Sequence, residues 1–361
     1  MRSYLRACAI LLLLFPFLFS KGVDFLKITL EEVLSIGSLD DDSLYQWVGV
    51  VADSENFIYV TDSMDYSIKK FDESGALLKT TGQRGKGPGE FTAPRLLDTW
   101  GKHLFVTEQY EPVIKVFDRD LNYKFNIPLK GPAGDIRAIG EEMVAVAALD
   151  AQMKSQILFY DRKGKVVKTL IFSNESSPLL MDMVNFDLDE WGCLYVAYNF
   201  KDKIQKFDER GIKLWSKSLL GNKKVERKEV GDYVVPTEIV YKDIALDSSE
   251  NVYVLGGHLS KNRSRDVYVL SPEGKFLTAF TLPEASHCIY IDQDDFLYSR
   301  ANEGVTLKKY KMVRAPSSLH SFYVGESLPI LLHHSVVLTS VFIYLEREVF
   351  RDMRSSIDNL G

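Results

Sequence analysis

Functional side chains concentrate in the connections between short apolar segments of this chain. These connections combine aromatic rings with carboxylates and cations, a mixture typical of sites that bind peptides or sugars. We therefore predict a protein, peptide or carbohydrate ligand, and the alternative for each residue is a solvated loop tip without a ligand. The candidate ligand-binding residues are Asp62, Tyr66, Arg84, Lys86, Phe91, Glu108, Tyr110, Tyr198, Lys201, His258, Arg300 and Asn302.

Metal and nucleophile chemistry have weaker support in the sequence. The central part of the chain contains His103, His258 and His287, which are widely separated, whereas catalytic zinc usually needs three protein ligands. A Ser-His-Asp triad cannot be selected, because hydroxyl groups are many and histidines few. We predict no metal and no cofactor, with calcium as the alternative. The carboxylates behind that alternative are Asp62, Asp65, Glu108 and Glu303.

The glycine-rich segment at residues 82–91 has the composition of a phosphate-binding loop. It reads Gly-Gln-Arg-Gly-Lys-Gly-Pro-Gly-Glu-Phe. It lacks the Gly-Lys-Ser/Thr ending of a phosphate-binding loop and joins two predicted strands rather than a strand and a helix. We therefore expect a structural turn.

The apolar segments themselves recur along the chain. A Tyr-Val strand and a following Phe-Asp strand, at residues 58–72, return at 104–118 and 194–208. Weaker copies lie at 143–161, 252–270 and 296–310, and successive copies are 40 to 63 residues apart. A period in this range, with short alternating strands, predicts a propeller with one four-stranded blade per repeat.

The sixth copy lacks an outer strand of its own after residue 310. Residues 28–37 precede the first inner strand and resemble the outer strands of the other copies. Pairing this segment with the last copy would close the ring and remove exposed strand edges. The prediction is an all-β fold, a six-bladed β-propeller of four-stranded antiparallel blades over residues 23–312, with the ring closed by the N-terminal strand.

The repeated motifs resemble the NHL-repeat-like six-bladed propellers of secreted bacterial proteins. The resemblance rests on the Tyr-Val-x-Asp strands, the Phe-Asp-x-x-Gly turns and the glycine-rich connection, and it spans residues 28–312. That family includes lyases, lactonase-like relatives, receptors and binding modules, so it implies the fold more than the function. The leading hypothesis is an exported binding or scaffold propeller, and the alternative is a metal-dependent lyase or lactonase-like enzyme with its site at the central channel.

Strand direction divides the connections between two faces of the predicted propeller. Short acidic turns and Glu-x-Gly turns lie on one face, here called the turn face. The opposite face, called the variable-loop face, carries the connections between blades and those between second and third strands. Rigid repeat scaffolds usually place function on such variable loops. The candidate ligand-binding residues all belong to this second face.

The first 22 residues are predicted to be a signal peptide. Arg2 and Arg6 precede an apolar run at residues 7–19, and Gly22 offers a cleavage point. Cleavage would change the net charge from −6 to −9, because two arginines and Lys21 would leave. An acidic domain without a basic stripe argues against nucleic acid as a partner. We expect an exported monomer, periplasmic or extracellular, with an uncleaved membrane anchor as the alternative.

The C-terminal stretch, residues 313–361, departs from the repeat pattern. Residues 328–345 are mainly apolar but include two histidines. We expect a tail that is helical or poorly ordered. A membrane span is the alternative, although the apolar run is short for one.

Overall fold

The computed structural model describes residues 26–150, 154–171, 181–230, 233–301 and 304–316. Within these ranges, six four-stranded antiparallel sheets confirm the predicted six-bladed propeller. The predicted signal peptide and residues 317–361 lie outside the described residues. In the part of the chain that is described, no helix is long and apolar enough to cross a membrane.

The first three blades follow the predicted order, each running from its innermost to its outermost strand. Blade 1 contains β2 (Trp47–Ala52), β3 (Ile58–Asp62), β4 (Ser67–Phe71) and β5 (Leu77–Thr81). Blade 2 contains β6 (Pro94–Trp100), β7 (His103–Glu108), β8 (Val113–Asp118) and β9 (Tyr123–Pro128). Blade 3 contains β10 (Asp135–Gly140), β11 (Met143–Leu149), β12 (Ser155–Asp161) and β13 (Val166–Ile171).

The last three blades add one hairpin that the sequence had not indicated. Blade 4 contains β14 (Val184–Leu188), β15 (Leu194–Tyr198), β16 (Ile204–Phe207) and β17 (Lys213–Lys217). The long connection after it folds into a hairpin of β18 (Arg227–Val230) and β19 (Tyr233–Pro236). Blade 5 contains β20 (Tyr241–Leu246), β21 (Val252–Gly256), β22 (Asp266–Leu270) and β23 (Phe276–Thr281). Blade 6 contains β24 (Ile289–Ile291), β25 (Phe296–Ala301), β26 (Thr306–Pro316) and β1 (Leu26–Ile36).

The N-terminal strand closes the ring, as predicted. β1 pairs antiparallel with β26 from Leu26 opposite Pro316 to Ile36 opposite Leu307. Both strands run beyond the rest of blade 6 at the turn face, because β25 pairs only with residues 306–311. Arg314 in this extension contacts turn carboxylates of blades 5 and 6, at 2.8 Å from Asp247 and 2.9 Å from Asp295.

The acidic turns explain why an aspartate precedes a tyrosine by six residues in several repeats. Oδ1 of Asp53 accepts hydrogen bonds from the backbone N–H groups of Glu55 (2.9 Å) and Phe57 (3.1 Å). Its Oδ2 accepts one from the Tyr59 hydroxyl at 3.0 Å. Aspartate suits such turns because its side chain accepts hydrogen bonds from backbone N–H groups a few residues further on. The same arrangement recurs at Asp189 with Tyr195, Asp247 with Tyr253, and Asp292 with Tyr298.

The core lies between the blades as well as within them. The Tyr59 ring is 1% exposed, and its hydroxyl also reaches the carbonyl of Arg119 in blade 2 at 3.0 Å. Trp47 of blade 1 is fully buried and donates from Nε1 to the carbonyl of Thr306 in blade 6 at 3.0 Å. These contacts fix the blades against one another and give the channel between the inner strands a rigid wall.

Candidate functional site

Two predicted ligand-binding carboxylates, those of Asp62 and Glu108, are buried within the fold. Asp62 accepts a hydrogen bond from the Tyr45 backbone N–H at 2.8 Å and lies 3.2 Å from Nζ of Lys69. Glu108 repeats this role one blade later, 2.8 Å from Nζ of Lys115. Both carboxylate side chains are 0% exposed. This corrects the expectation that they face a ligand, and their lysine partners already supply the positive charge that calcium would bring.

Two predicted aromatic contacts, Phe91 and Tyr198, are core residues. Both are 0% exposed. The Phe91 ring stacks on Phe117 with centroids 5.7 Å apart. The Tyr198 hydroxyl donates to Oε1 of Gln205 at 2.8 Å. Neither ring has surface for a ligand, because the connection that carries Phe91 turns its side chain inward, and Tyr198 is the last residue of β15, where its ring packs in the core.

The glycine-rich connection encloses a carboxylate. Glu90 accepts hydrogen bonds from the backbone N–H of Gly87 and from Nε2 of Gln83, both at 2.8 Å. A phosphate-binding loop needs its backbone N–H groups free for an anion. Here the chain's own carboxylate occupies that position, as a structural turn requires.

Four other candidates form an exposed rim on blades 1 and 2. Tyr110 is 73% exposed. Lys86 pairs with Glu111 at 3.0 Å, which joins the glycine-rich connection to the neighbouring loop of blade 2. The Arg84 guanidinium lies 5.7 Å from the centroid of the half-buried Tyr66 ring. The structure therefore brings Tyr66, Arg84, Lys86 and Tyr110 onto one side of the variable-loop face.

The remaining candidates lie around blades 4 to 6. Lys201 pairs with the buried Asp182. His258 is half-buried, and burial, followed by the charge of Lys242, lowers its pKa. Asn302 lies outside the described residues. Arg300 lines the central channel and lies 5.8 Å from the centroid of the Trp47 ring.

A cavity of about 1150 Å³ occupies the centre of the propeller. It is lined by residues from the innermost strands of all six blades. Its lining includes polar and charged side chains. Concave sites with a few convergent polar groups are the usual location of ligand binding, so this channel is the candidate functional site.

A belt of four aspartates connects adjacent blades across the channel wall. Asp98 accepts a hydrogen bond from the backbone N–H of Ala138 in the next blade at 2.7 Å. The other three carboxylates act in the same way at 2.9 Å, and the pairs are Asp135 with Phe186, Asp187 with Leu246, and Asp243 with Ile289. The belt therefore holds blades 2 to 6 together and places carboxylates around the channel.

Arg137 partly neutralises this belt. Its Nε lies 2.8 Å from Asp187, and one terminal nitrogen lies 3.1 Å from Asp135. Burial raises the pKa of Asp98 to about 6, although Arg137 acts in the opposite direction. Burial and then the neighbouring charge of Asp135 raise the pKa of Asp243 to about 7. Two belt carboxylates therefore titrate near neutral pH.

The mouth of the channel at the variable-loop face is cationic. Arg95 from β6, Lys242 from β20 and Arg300 from β25 line it. Nζ of Lys242 donates to the Ser286 carbonyl at 3.2 Å. Burial lowers the pKa of Lys242, and the Arg300 charge lowers it further. Arg95, Lys242 and Arg300 thus place cations at this end of the channel, close to belt carboxylates such as Asp243, which directly follows Lys242 in β20.

Replacement of Asp243 by Asn should change how stability depends on pH. In the unfolded chain this carboxyl titrates near its usual value of 3.8, and in the folded protein it titrates at about 7. Between these values the folded state binds more protons, so the Asp243 contribution to stability is present at low pH and is lost as pH rises towards 7. Wild type should therefore lose more than about 1 kcal/mol relative to Asp243→Asn between pH 5 and pH 8.

The measurement is the free energy of urea unfolding of both proteins at the two pH values. Asp294→Asn, at an exposed turn position of the same acidic type, is the control and should follow wild type at both. Equal pH dependence in wild type and Asp243→Asn would show that the folded carboxyl is ionised throughout.

Sequence reasoning overlooked the belt and two of the three mouth cations. The prediction considered only the variable loops, whereas the belt aspartates and the mouth cations Arg95 and Lys242 lie on the inner strands. A signal was present, because charged residues such as Asp98, Asp187 and Asp243 interrupt otherwise apolar inner strands. Unpaired charges are rarely buried, so a charge in such a strand indicates a partner across the channel.

Comparison with known proteins supports the fold. A family model described as "6-bladed beta-propeller" matches residues 38–98. No curated protein matches the chain. The chain resembles a structural-genomics protein of unknown function from Bacteroides thetaiotaomicron VPI-5482, with 11% identity, a TM-score of 0.54, and coverage of 80% of this chain and 76% of that one.

Two further structures show the range of proteins with similar architecture. One is the WD40 beta propeller domain of Doa1, with 13% identity, a TM-score of 0.51, and coverage of 79% of this chain and 97% of that one. The other is a streptogramin B lyase, with 12% identity, a TM-score of 0.50, and coverage of 81% and 100%. At such identities the likeness concerns the fold alone.

Proposed function

We propose that this protein is an exported binding propeller that recognises a ligand at its variable-loop face, with the channel mouth as the centre of the site. The observation that carries the proposal is the cavity of about 1150 Å³ with Arg95, Lys242 and Arg300 at its open end. The exposed rim of Tyr66, Arg84, Lys86 and Tyr110 adds a second contact surface. Export is supported by the N-terminal charge and apolar pattern, and an intact mass starting at Val23 would check it.

The belt carboxylates already have partners within the fold, which supports the binding proposal. Within the described ranges, no group of three or more His, Cys, Asp or Glu side chains is arranged to hold a metal ion. The belt carboxylates instead accept backbone hydrogen bonds from neighbouring blades. These hydrogen bonds between blades make the channel wall rigid, and a rigid wall suits the binding of a molecule inside the channel.

Filling the mouth with a bulky side chain should abolish binding. Val48 lies on the inner strand of blade 1, lines the cavity and is half-buried, so Val48→Trp would obstruct the entrance. Wild type and variant are compared on arrays of oligosaccharides and peptides. Ligands that bind wild type should lose at least about tenfold in affinity, equivalent to roughly 1.4 kcal/mol.

The matched control is Leu78→Trp, which adds the same ring on the exposed outer strand β5, where Leu78 is 52% exposed. It should bind as wild type does, and both variants should melt within a few degrees of wild type. If no array member binds wild type, or if array ligands bind Val48→Trp equally well, the channel mouth is not a binding site.

A further inference from the structure

Lys242 lies at an irregular position of its inner strand. The pairing of β20 with β21 shifts register between Tyr241 and Asp243, and Lys242 lies at that shift. Such irregularities redirect side chains and are frequent beside functional sites. The Lys242 side chain is half-buried and lines the cavity of about 1150 Å³. A small molecule that enters the channel can therefore contact it.

The partners of Lys242 differ from those of buried lysines in other blades. Four strand lysines each pair with a carboxylate that is almost fully buried, and the pairs are Lys69 with Asp62, Lys115 with Glu108, Lys206 with Asp189, and Lys309 with Asp292. Among the described residues, no ion pair includes Lys242. A neighbouring carboxylate favours the ammonium form of a lysine. The four paired lysines have this stabilisation, and Lys242 does not.

The amine of Lys242 contacts a carbonyl and an imidazole. Its Nζ donates to the Ser286 carbonyl at 3.2 Å and lies 3.4 Å from Nδ1 of His287. The carbonyl can accept from the ammonium and from the neutral amine, so it holds the nitrogen in place in both forms. In the imidazole tautomer with its proton on Nε2, Nδ1 is an acceptor. His287 can then take a proton from the ammonium and return it later.

The groups around Lys242 favour its neutral form. Burial lowers the pKa of Lys242, and the Arg300 charge lowers it further. A Cys288 thiolate would act in the opposite direction, but burial raises the pKa of that thiol to about 12, so it is uncharged at neutral pH. His258 and Lys242 disfavour each other's charge. The Asp243 carboxylate accepts backbone hydrogen bonds. A desolvated lysine beside another cation is a typical amine nucleophile.

We propose that Lys242 is a nucleophilic amine that captures a small aldehyde or ketone at the channel mouth as an imine. The lone pair of the neutral Nζ forms a bond to the carbonyl carbon. The two hydrogens of the amine pass to the carbonyl oxygen, with His287 as the group that transfers them, and the oxygen leaves as water. No oxidant or reductant takes part. This inference rests on the proposed function in using the same entrance, and it specifies a carbonyl compound as ligand.

The test is reductive trapping with propanal and sodium cyanoborohydride at pH 7, followed by peptide mass spectrometry. Lys242 should be modified at least about fivefold faster than Lys163 and Lys275, which are exposed, because a larger fraction of it is the neutral amine. This preference should decrease as pH rises towards 10, where exposed lysines also lose their protons. The first adduct seen by intact mass should be absent from Lys242→Arg.

A variant of the imidazole tests its part in proton transfer. His287→Gln should slow the modification of Lys242 at least about threefold at pH 7 and change its pH profile. Lys275 in the same variant is the control and should react as in wild type. An unchanged rate and pH profile for Lys242 in His287→Gln would remove His287 from the proposal.

Modification of Lys242 no faster than that of Lys163 and Lys275 would overturn the proposal, and this comparison needs only the wild-type protein. The outcome is separate from that of the proposed function. Array ligands that bind wild type and are lost in Val48→Trp, together with a slowly modified Lys242, would refute this inference and leave the proposed function intact. Fast modification of Lys242 without any array ligand would do the reverse.

Discussion

A chain that lacks residues 23–37 is expected to melt at least about 10 °C below the full chain, or not to fold. The deletion removes β1, which supplies the outer strand of blade 6. It exposes the whole edge of β26 and uncovers apolar surface around Ile28 and Ile36, which are 6% and 4% exposed. Unpaired edges also promote association between molecules. Thermal unfolding followed by circular dichroism measures the effect.

Transplanting the strand provides the control. Leu26 lies opposite Pro316 in the register of β1 and β26. In a chain where residues 26–37 follow Pro316 through an Asn-Gly hairpin turn, this strand should therefore occupy the same position beside β26. This rearranged chain should recover most of the lost melting temperature. An unchanged melting curve on deletion alone would contradict closure by β1.

Phe105→Ala should lower the free energy of unfolding by about 3–5 kcal/mol. The Phe105 ring is 0% exposed and packs in a cluster with Val144 and Tyr160 of blade 3. Truncation removes contacts within blade 2 and across the interface with blade 3, where a rigid wall cannot collapse to fill the space. Reversible urea unfolding provides the measurement.

Phe276→Ala is the matched comparison, because Phe276 is 42% exposed on the outer strand of blade 5. It should cost less than about 1 kcal/mol. A cost of that size for Phe105→Ala as well would mean that the aromatic positions of the repeats do not hold the blades together.

The fold was predictable because its rules are local and repeated. An aspartate six residues before a tyrosine, as in Asp53 and Tyr59, forms the same turn wherever it occurs. The alternation of residues in a strand and the residues of a turn can be recognised from neighbours in sequence alone. The hairpin of β18 and β19 was not predicted, because it occurs only once among the described residues and has no repeated motif.

The candidate site was less predictable because it depends on contacts between distant residues. The Arg137 guanidinium donates a hydrogen bond to Asp187, fifty residues later in the chain. No spacing in the sequence predicts that pair. The bulges at Arg95 and Lys242 break the alternation from which side-chain direction is inferred. Phe91 and Tyr110 look alike as loop aromatics, yet one is fully buried and the other 73% exposed.

The closing strand also determines how the propeller would be presented on a support. β26 runs from the variable-loop face to the turn face, and β1 runs back beside it. Leu26 and Pro316 are therefore neighbours at the turn face, on the opposite side of the propeller from the channel mouth. A tether coupled chemically to the propeller beside this pair of residues would hold it by the turn face and leave the channel mouth accessible.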